Sequence, residues 1–158
     1  SWRVPFLLVL DHEIAHLLAA MSCLRRPMGL RVGEETGLAE YSAGRGSALI
    51  LLAPYVWPWT AWVLCALLSV VRGDLQAPVL VGVGAALGFS AVRIGLDLRP
   101  WQSDLQRLGL VRSAICVLAW APLLFAIPVL FALGGLDQLV SWTEVGWKEA
   151  QALRSRFN

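Results

Sequence analysis

The segment Val9–Met21, VLDHEIAHLLAAM, places four ionisable side chains within six positions of an otherwise apolar run: Asp11, His12, Glu13 and His16. Ionisable residues inside an apolar helix are costly and usually functional. Because the two histidines are four positions apart, a helix directs both imidazoles to one face, about one turn apart. Both can then bind the same tetrahedral zinc ion. The segment therefore predicts a metal site.

The pattern His-Glu-x-x-His also gives Glu13 a role. A carboxylate beside a zinc-bound water can accept its proton, which the metal has already made more acidic. The chain has only these two histidines, and a shuffled chain would contain the pattern with a probability on the order of one in a thousand. We expect His12 and His16 to bind zinc and Glu13 to be the general base. Asp11 is expected to orient an imidazole or to pair with an arginine. A proton relay or a packing cluster is the alternative.

A catalytic zinc ion needs a third protein ligand and an open position. The cysteines lie in separate apolar runs, so a carboxylate is expected to serve. The candidates are Glu34, Glu35, Glu40, Asp74, Asp97 and Asp104. His16 lies toward the C-terminal half of its run, and Asp74 falls on the opposite side of the membrane. Asp104 is preferred, because Ser103 can cap a helix that begins at Asp104 and aims its carboxylate inward from the first turn of the fourth span. An ordinary acid at a helix start is the alternative for Asp104, and Asp97 is the next candidate ligand.

The composition is that of a membrane protein. The 158 residues allow one domain, and 58% of them are hydrophobic, against roughly 45–50% in soluble domains. Four apolar runs reach the roughly 20 residues that a membrane-spanning helix needs, and none alternates with a period of two. We predict an all-α integral membrane protein of one domain, 1–158, with spans at Val4–Leu24, Ser47–Val71, Ala77–Leu96 and Val111–Leu133. Pro54 and Pro58 are expected to kink or break the second span.

Three further segments carry weaker expectations. The tail, Leu136–Asn158, mixes tryptophans with charges and predicts an interfacial amphipathic helix, with a plain solvated helix as the alternative. The loop Arg31–Gly46 is either a strand or turn that pairs with an unfolded substrate, or a solvated connector. The loops after spans one and three hold seven arginines, against five basic residues on the opposite side of the membrane. This difference favours a cytoplasmic location for those loops, in an inner cell membrane. A net charge of +2 with scattered arginines argues against a nucleic-acid partner.

These motifs together resemble the membrane-embedded zinc metallopeptidases of the site-2 protease class, the M50-like families. The resemblance covers about residues 10–113 and rests on HEIAH, on the hairpin LAPYVWP and on QSDLQRLG. It implies zinc on His12, His16 and Asp104, a general base at Glu13, and cleavage of peptide bonds within or beside a membrane. The family's N-x-x-P and L-D-G pattern is altered here, since Asp97–Leu105 has no Asn and no Gly after the aspartate.

Three functions are compatible with these features. The first is an intramembrane zinc metallopeptidase whose partners are the lipid bilayer and a membrane-protein or peptide substrate. The second is a catalytically silent, metallopeptidase-like subunit that supports the structure or assembly of a larger membrane complex. The third is a proton or ion carrier that uses the same polar cluster. The metal content of the protein separates the first function from the second.

Overall fold

A computed structural model describes residues 3–33, 36–42 and 48–156 of the chain, and the side chains of residues 6–33, 36–42 and 48–155. The described residues are 80% helical, so the prediction of a helical fold is confirmed at that level. It is not all-α, because the two strands of a short hairpin follow the first helix. The elements in chain order are α1 Arg3–Ser22, β1 Pro27–Val32, β2 Gly37–Tyr41, α2 Ala48–Val56, α3 Trp59–Val70, α4 Gln76–Asp97, α5 Ser103–Leu108 and α6 Leu110–Arg156.

The hairpin lies against α1. Its strands are antiparallel, with Leu30 opposite Ala39 and Val32 opposite Gly37, and both strands contact α1. The loop predicted at Arg31–Gly46 thus contributes to β1 and forms β2. Residues 34, 35 and 43–46 of that loop lie outside the described residues. The strand option for the loop was therefore closer to the structure than a solvated connector.

The second apolar run is broken where the prolines predicted it. Helix α2 ends at Val56, Pro58 is the N-cap residue of α3, and the two helices are bent by 74°. Pro54 lies inside α2, where its ring removes one backbone N–H from the helix. The run is therefore two helices with a sharp bend between them.

The fourth predicted span, Val111–Leu133, matches the part of α6 between its start at Leu110 and its break at Gly134 and Gly135. Asp104 does not lie in its first turn, because α5 is a separate short helix that ends at Gly109, whose φ of +94° suits glycine. Ser103 is the first residue of α5, and the N-cap residue Gln102 makes no side-chain capping bond, so the predicted Ser103 cap is wrong. Helix α6 includes the predicted tail, with a break at Gly134 and Gly135. The tail side chains that the structure describes are almost all exposed.

In the part of the chain that the structure describes, two helices are long and apolar enough to cross a membrane: Gly73–Asp97, with a mean hydropathy of 1.9, and Leu110–Ser155, with 2.4. The bent pair α2 and α3 passes the same test when it is counted as one unit. Among the described residues this makes two spans, or three with the bent pair, against four predicted. The architecture is compatible with an integral membrane protein.

Small side chains set the distance between α1 and α2. Ala19, Ala20 and Ala53 are almost fully buried together with Ile50 in one apolar cluster. Residues without long side chains let two helix backbones approach closely. This contact brings the start of α2 to the second histidine of α1. A second cluster joins α2, α5 and α6 and fixes the position of α5, the helix that carries Asp104; its members are Leu52, Tyr55, Leu105 and Val117.

Candidate metal centre

Three side chains from two helices meet at one point. His12 and His16 project from one face of α1, and Asp104 reaches them from α5. The Nε2 atom of His16 lies 3.2 Å from Nε2 of His12 and 3.2 Å from Oδ2 of Asp104. The remaining distance, from His12 Nε2 to Asp104 Oδ2, is 3.5 Å. The structure thus brings together the two motif histidines and the preferred carboxylate. His16 and Asp104 are 88 residues apart in the sequence.

The spacing of these three atoms suits zinc. With zinc–ligand bonds of roughly 2.0–2.1 Å, the ligand atoms of a regular tetrahedron lie about 3.3–3.4 Å from one another. The three observed separations bracket that value. Two imidazole nitrogens and a carboxylate oxygen are also a common donor set of catalytic zinc sites. Each of the three atoms can offer an electron pair to a proton or a metal ion that lies between them.

The support of His16 comes from the backbone of α2. Its Nδ1 donates a hydrogen bond to the carbonyl of Ile50 at 2.8 Å, and both residues are buried. In a regular helix that carbonyl would accept the N–H of residue 54, but residue 54 is a proline and has no N–H. The proline therefore leaves the carbonyl available to His16. With Nδ1 protonated, Nε2 presents its lone pair to the centre.

The support of His12 comes from charged groups. Its Nδ1 donates to Oδ2 of Asp97, the last residue of α4, at 3.0 Å. Arg93, one turn earlier on α4, lies 3.5 Å from the same oxygen through Nη1. The Nε atom of Arg93 is 2.6 Å from Oδ2 of Asp11, an ion pair between two buried groups. Asp11 therefore pairs with an arginine, one of its two predicted roles, and has no place among the three clustered ligand atoms.

Glu13 is held between α1 and β2. Its exposed fraction is 9%, and a Cβ atom on Gly37 would lie 2.8 Å from its Oε1 and would overlap its Cγ. Only glycine therefore lets β2 lie so close to this side chain. Glu13 lines a cavity of 170 Å³ together with both histidines and Asp104. Glu13 thus shares with the ligand cluster a cavity large enough for water and a small part of a substrate.

Asp104 is delivered by an irregular segment. Residues 98–102, between α4 and α5, form neither helix nor strand. Burial would raise the pKa of Asp104, but the hydrogen bonds and charges of His12 and His16 outweigh it. They hold the pKa of this carboxyl well below its usual range. Asp104 is therefore ionised at neutral pH, the form in which a carboxylate binds a metal.

Of the other carboxylates considered as ligands, those that the structure describes are absent from the cluster. Asp97 contacts the opposite ring nitrogen of His12, so it supports a ligand and is absent from the cluster of three. Asp74 is exposed in the turn before α4, and Glu40 lies on β2 beside Gly29. Glu34 and Glu35 are outside the described residues.

Sequence reasoning missed three contributors. Arg93 carried a signal, because an arginine inside the third apolar run is expensive unless it has a partner. Gly37 and the carbonyl of Ile50 carried no such signal, since their roles depend on which elements pack together.

No protein-family model matches the chain, and no curated protein or solved structure shows significant similarity to it. The resemblance to site-2 proteases therefore stays a prediction from motifs, and any functional argument depends on the geometry of this centre.

Proposed function

We propose that this protein is a membrane-embedded zinc metallopeptidase that hydrolyses peptide bonds of membrane-associated substrates. The observation that supports it most is the convergence of His12 Nε2, His16 Nε2 and Asp104 Oδ2 at separations of 3.2–3.5 Å, with Glu13 in the same cavity. These groups are the metal ligands and the base that metal-assisted hydrolysis requires. The general base is a separate carboxylate, so it does not compete for the metal.

Each residue has one task in this proposal. Zinc, when bound to the two histidines and Asp104, supplies a Lewis acid that polarises the scissile carbonyl and acidifies a water molecule. Glu13 accepts the proton of the attacking water and passes it to the leaving amine. The Glu13 side chain is buried between α1 and β2. Its conformation is therefore already restricted before the substrate binds.

The substrate is proposed to be an unwound segment of a membrane protein. Strand β2 contributes Leu38, Ala39 and Tyr41 to the walls of the cavity that also contains Glu13. An extended peptide beside β2 could form strand-like hydrogen bonds with it while its scissile bond lies over the ligand cluster. The proposal includes four spans, with α1 as the first and the loops after spans one and three in the cytoplasm of an inner cell membrane.

One observation favours a second function, a catalytically silent subunit of a membrane complex. The three ligand atoms lie within hydrogen-bonding distance of one another, so protons alone could satisfy them. The altered pattern around Asp104 agrees with this alternative. A centre of this kind would stabilise the contact between α1 and α5 and would bind no metal.

The deciding experiment measures metal content and peptide cleavage on the same samples. We expect protein purified in detergent without chelators to contain one zinc per chain and to cleave apolar transmembrane peptides in micelles. The Glu13→Gln variant should keep its zinc and lose cleavage by roughly 10²–10⁴-fold, the usual contribution of a general base. Glu40→Gln on β2 is the matched control and should behave as wild type. Absence of any transition metal would refute the metallopeptidase and favour the silent subunit. Cleavage by Glu13→Gln at the wild-type rate would refute the role of Glu13.

A further inference from the structure

Arg93 is a charged side chain in an unusual place. It lies in the second half of α4, inside an apolar helix that is long enough to span a membrane, and its exposed fraction is 0%. Burying a guanidinium without compensation is among the most expensive changes in a fold. Such a residue in a membrane helix is usually functional, and it must have partners.

The partners of Arg93 are two aspartates on different helices. Its Nε contacts Asp11 on α1 at 2.6 Å, and its Nη1 contacts Asp97 at 3.5 Å. The two contacts use different nitrogens of one planar group. A guanidinium can span two carboxylates in this way, whereas the single nitrogen of a lysine is a point charge.

The contact with Asp97 connects the arginine to the proposed metal centre. The oxygen of Asp97 that faces Arg93 is Oδ2, and the same oxygen accepts the Nδ1–H of His12 at 3.0 Å. Arg93 thus places a buried positive charge beside the carboxylate oxygen that accepts the hydrogen bond of His12. Asp11 directly precedes His12 in α1, so the pair with Asp11 also fixes the helix turn that carries this histidine.

We infer that Arg93 is a positioning residue of the metal centre. It holds the Asp97 carboxylate against His12 Nδ1, so that His12 Nε2 presents its lone pair to the metal beside His16 and Asp104. The inference rests on the proposed function only in that it assumes a metal bound at these three residues. It is distinct from a purely structural role, in which Arg93 only neutralises Asp11.

A double variant separates the two roles. Replacing both members of a buried ion pair by apolar residues of similar volume is often neutral or stabilising, so Arg93→Met with Asp11→Leu should fold. The readouts are Zn²⁺ affinity, by competition with a chromophoric chelator, and the visible absorption spectrum of bound Co²⁺. If Arg93 positions His12, the folded double variant should bind Zn²⁺ about 10–100-fold more weakly, as outer partners of metal ligands typically do when lost. Its Co²⁺ spectrum should also change.

Wild-type Zn²⁺ affinity in the folded double variant would overturn the inference. If that variant does not fold, Arg93→Lys takes its place, since it keeps a charge for Asp11 but cannot reach both carboxylates. Here too a weaker affinity is expected, and an unchanged affinity would overturn the inference. Arg72→Met, at an exposed site before α4, is the control for loss of one positive charge and should bind as wild type. A wild-type protein that binds neither Zn²⁺ nor Co²⁺ would overturn the proposed function as well, whereas unchanged variants of a metal-binding protein would overturn the inference alone.

Discussion

The two sides of the candidate metal centre support their histidines by different means. On the α2 side, His16 donates to a backbone carbonyl, that of Ile50, which is neutral and needs no counter-ion. On the α4 side, His12 donates to the carboxylate of Asp97. That carboxylate is accompanied by Arg93, and Arg93 in turn by Asp11. One support requires a single proline, while the other requires a network of three charged residues.

The difference follows from the free-energy cost of burying a charged group inside an apolar protein. A proline in α2 makes a carbonyl available without burying any additional charge. A carboxylate is the stronger acceptor, but a buried carboxylate needs a cation nearby to compensate its charge. A buried cation needs a second anion for the same reason. We therefore expect the α4 side to contribute more to metal affinity and to be more sensitive to substitution.

Of the two supports, the charged side should give the larger effect on substitution. Asp97→Asn keeps a side-chain acceptor for His12 but removes the charge, so Zn²⁺ affinity should fall toward the upper end of the roughly 10–100-fold range for outer partners. Asp104→Asn, which removes a ligand, should weaken binding further than that. Both affinities can be measured by chelator competition at fixed pH. If Asp97→Asn abolished binding while Asp104→Asn retained it, Asp97 would be the third ligand and the assignment of Asp104 would be wrong.

A smaller effect is expected on the neutral side. Pro54→Ala restores an N–H that can donate to the carbonyl of Ile50 and compete with His16 Nδ1. Because a carbonyl oxygen has two lone pairs and can accept twice, we expect Zn²⁺ affinity to fall by about tenfold, the lower end of the same range. Pro122→Ala in α6 is the matched control, since it restores the same kind of N–H away from the centre. Equal affinity in wild type and folded Pro54→Ala would show that the proline does not act through His16.

The parts of this centre that the sequence predicted are those encoded by local spacing. The i, i+4 histidines, the adjacent Glu13 and the break at Pro58 depend only on helix geometry and on proline chemistry. Asp104 was preferred because it was expected on the same side of the membrane as His16 and because Ser103 was expected to cap its helix. The structure does bring Asp104 to the histidines, yet the cap is wrong, because α5 starts one residue earlier and ends separately from α6.

The parts that the sequence did not predict depend on packing between distant elements. The hairpin was weighed against a connector, because two short strands around a turn carry a weak local signal and gain stability only against α1. The roles of Arg93, Asp97 and Ile50 follow from how α4 and α2 approach α1. The described residues show two of the four predicted spans, or three if the bent pair α2 and α3 is one span, so the number four stays a prediction.

The smallest effect on metal affinity is expected from Gly37→Ala, which touches neither support. The new methyl group would overlap Glu13 and approach Val9 Cγ1 to 2.8 Å, so the Glu13 side chain must move. We expect Zn²⁺ affinity to stay at the wild-type value, because the histidine supports lie on α2 and α4. Cleavage should fall by about 100-fold, since a shift of about 1 Å in a reacting group costs that much. Overpacking should also lower the free energy of unfolding by about 1–3 kcal/mol.

Gly84→Ala on α4, where a Cβ meets nothing within 4 Å, is the control and should change neither Zn²⁺ affinity nor cleavage. Loss of zinc together with cleavage in Gly37→Ala would mean that β2 supports the ligands themselves. Wild-type cleavage would mean that the contact between β2 and Glu13 does not position the base.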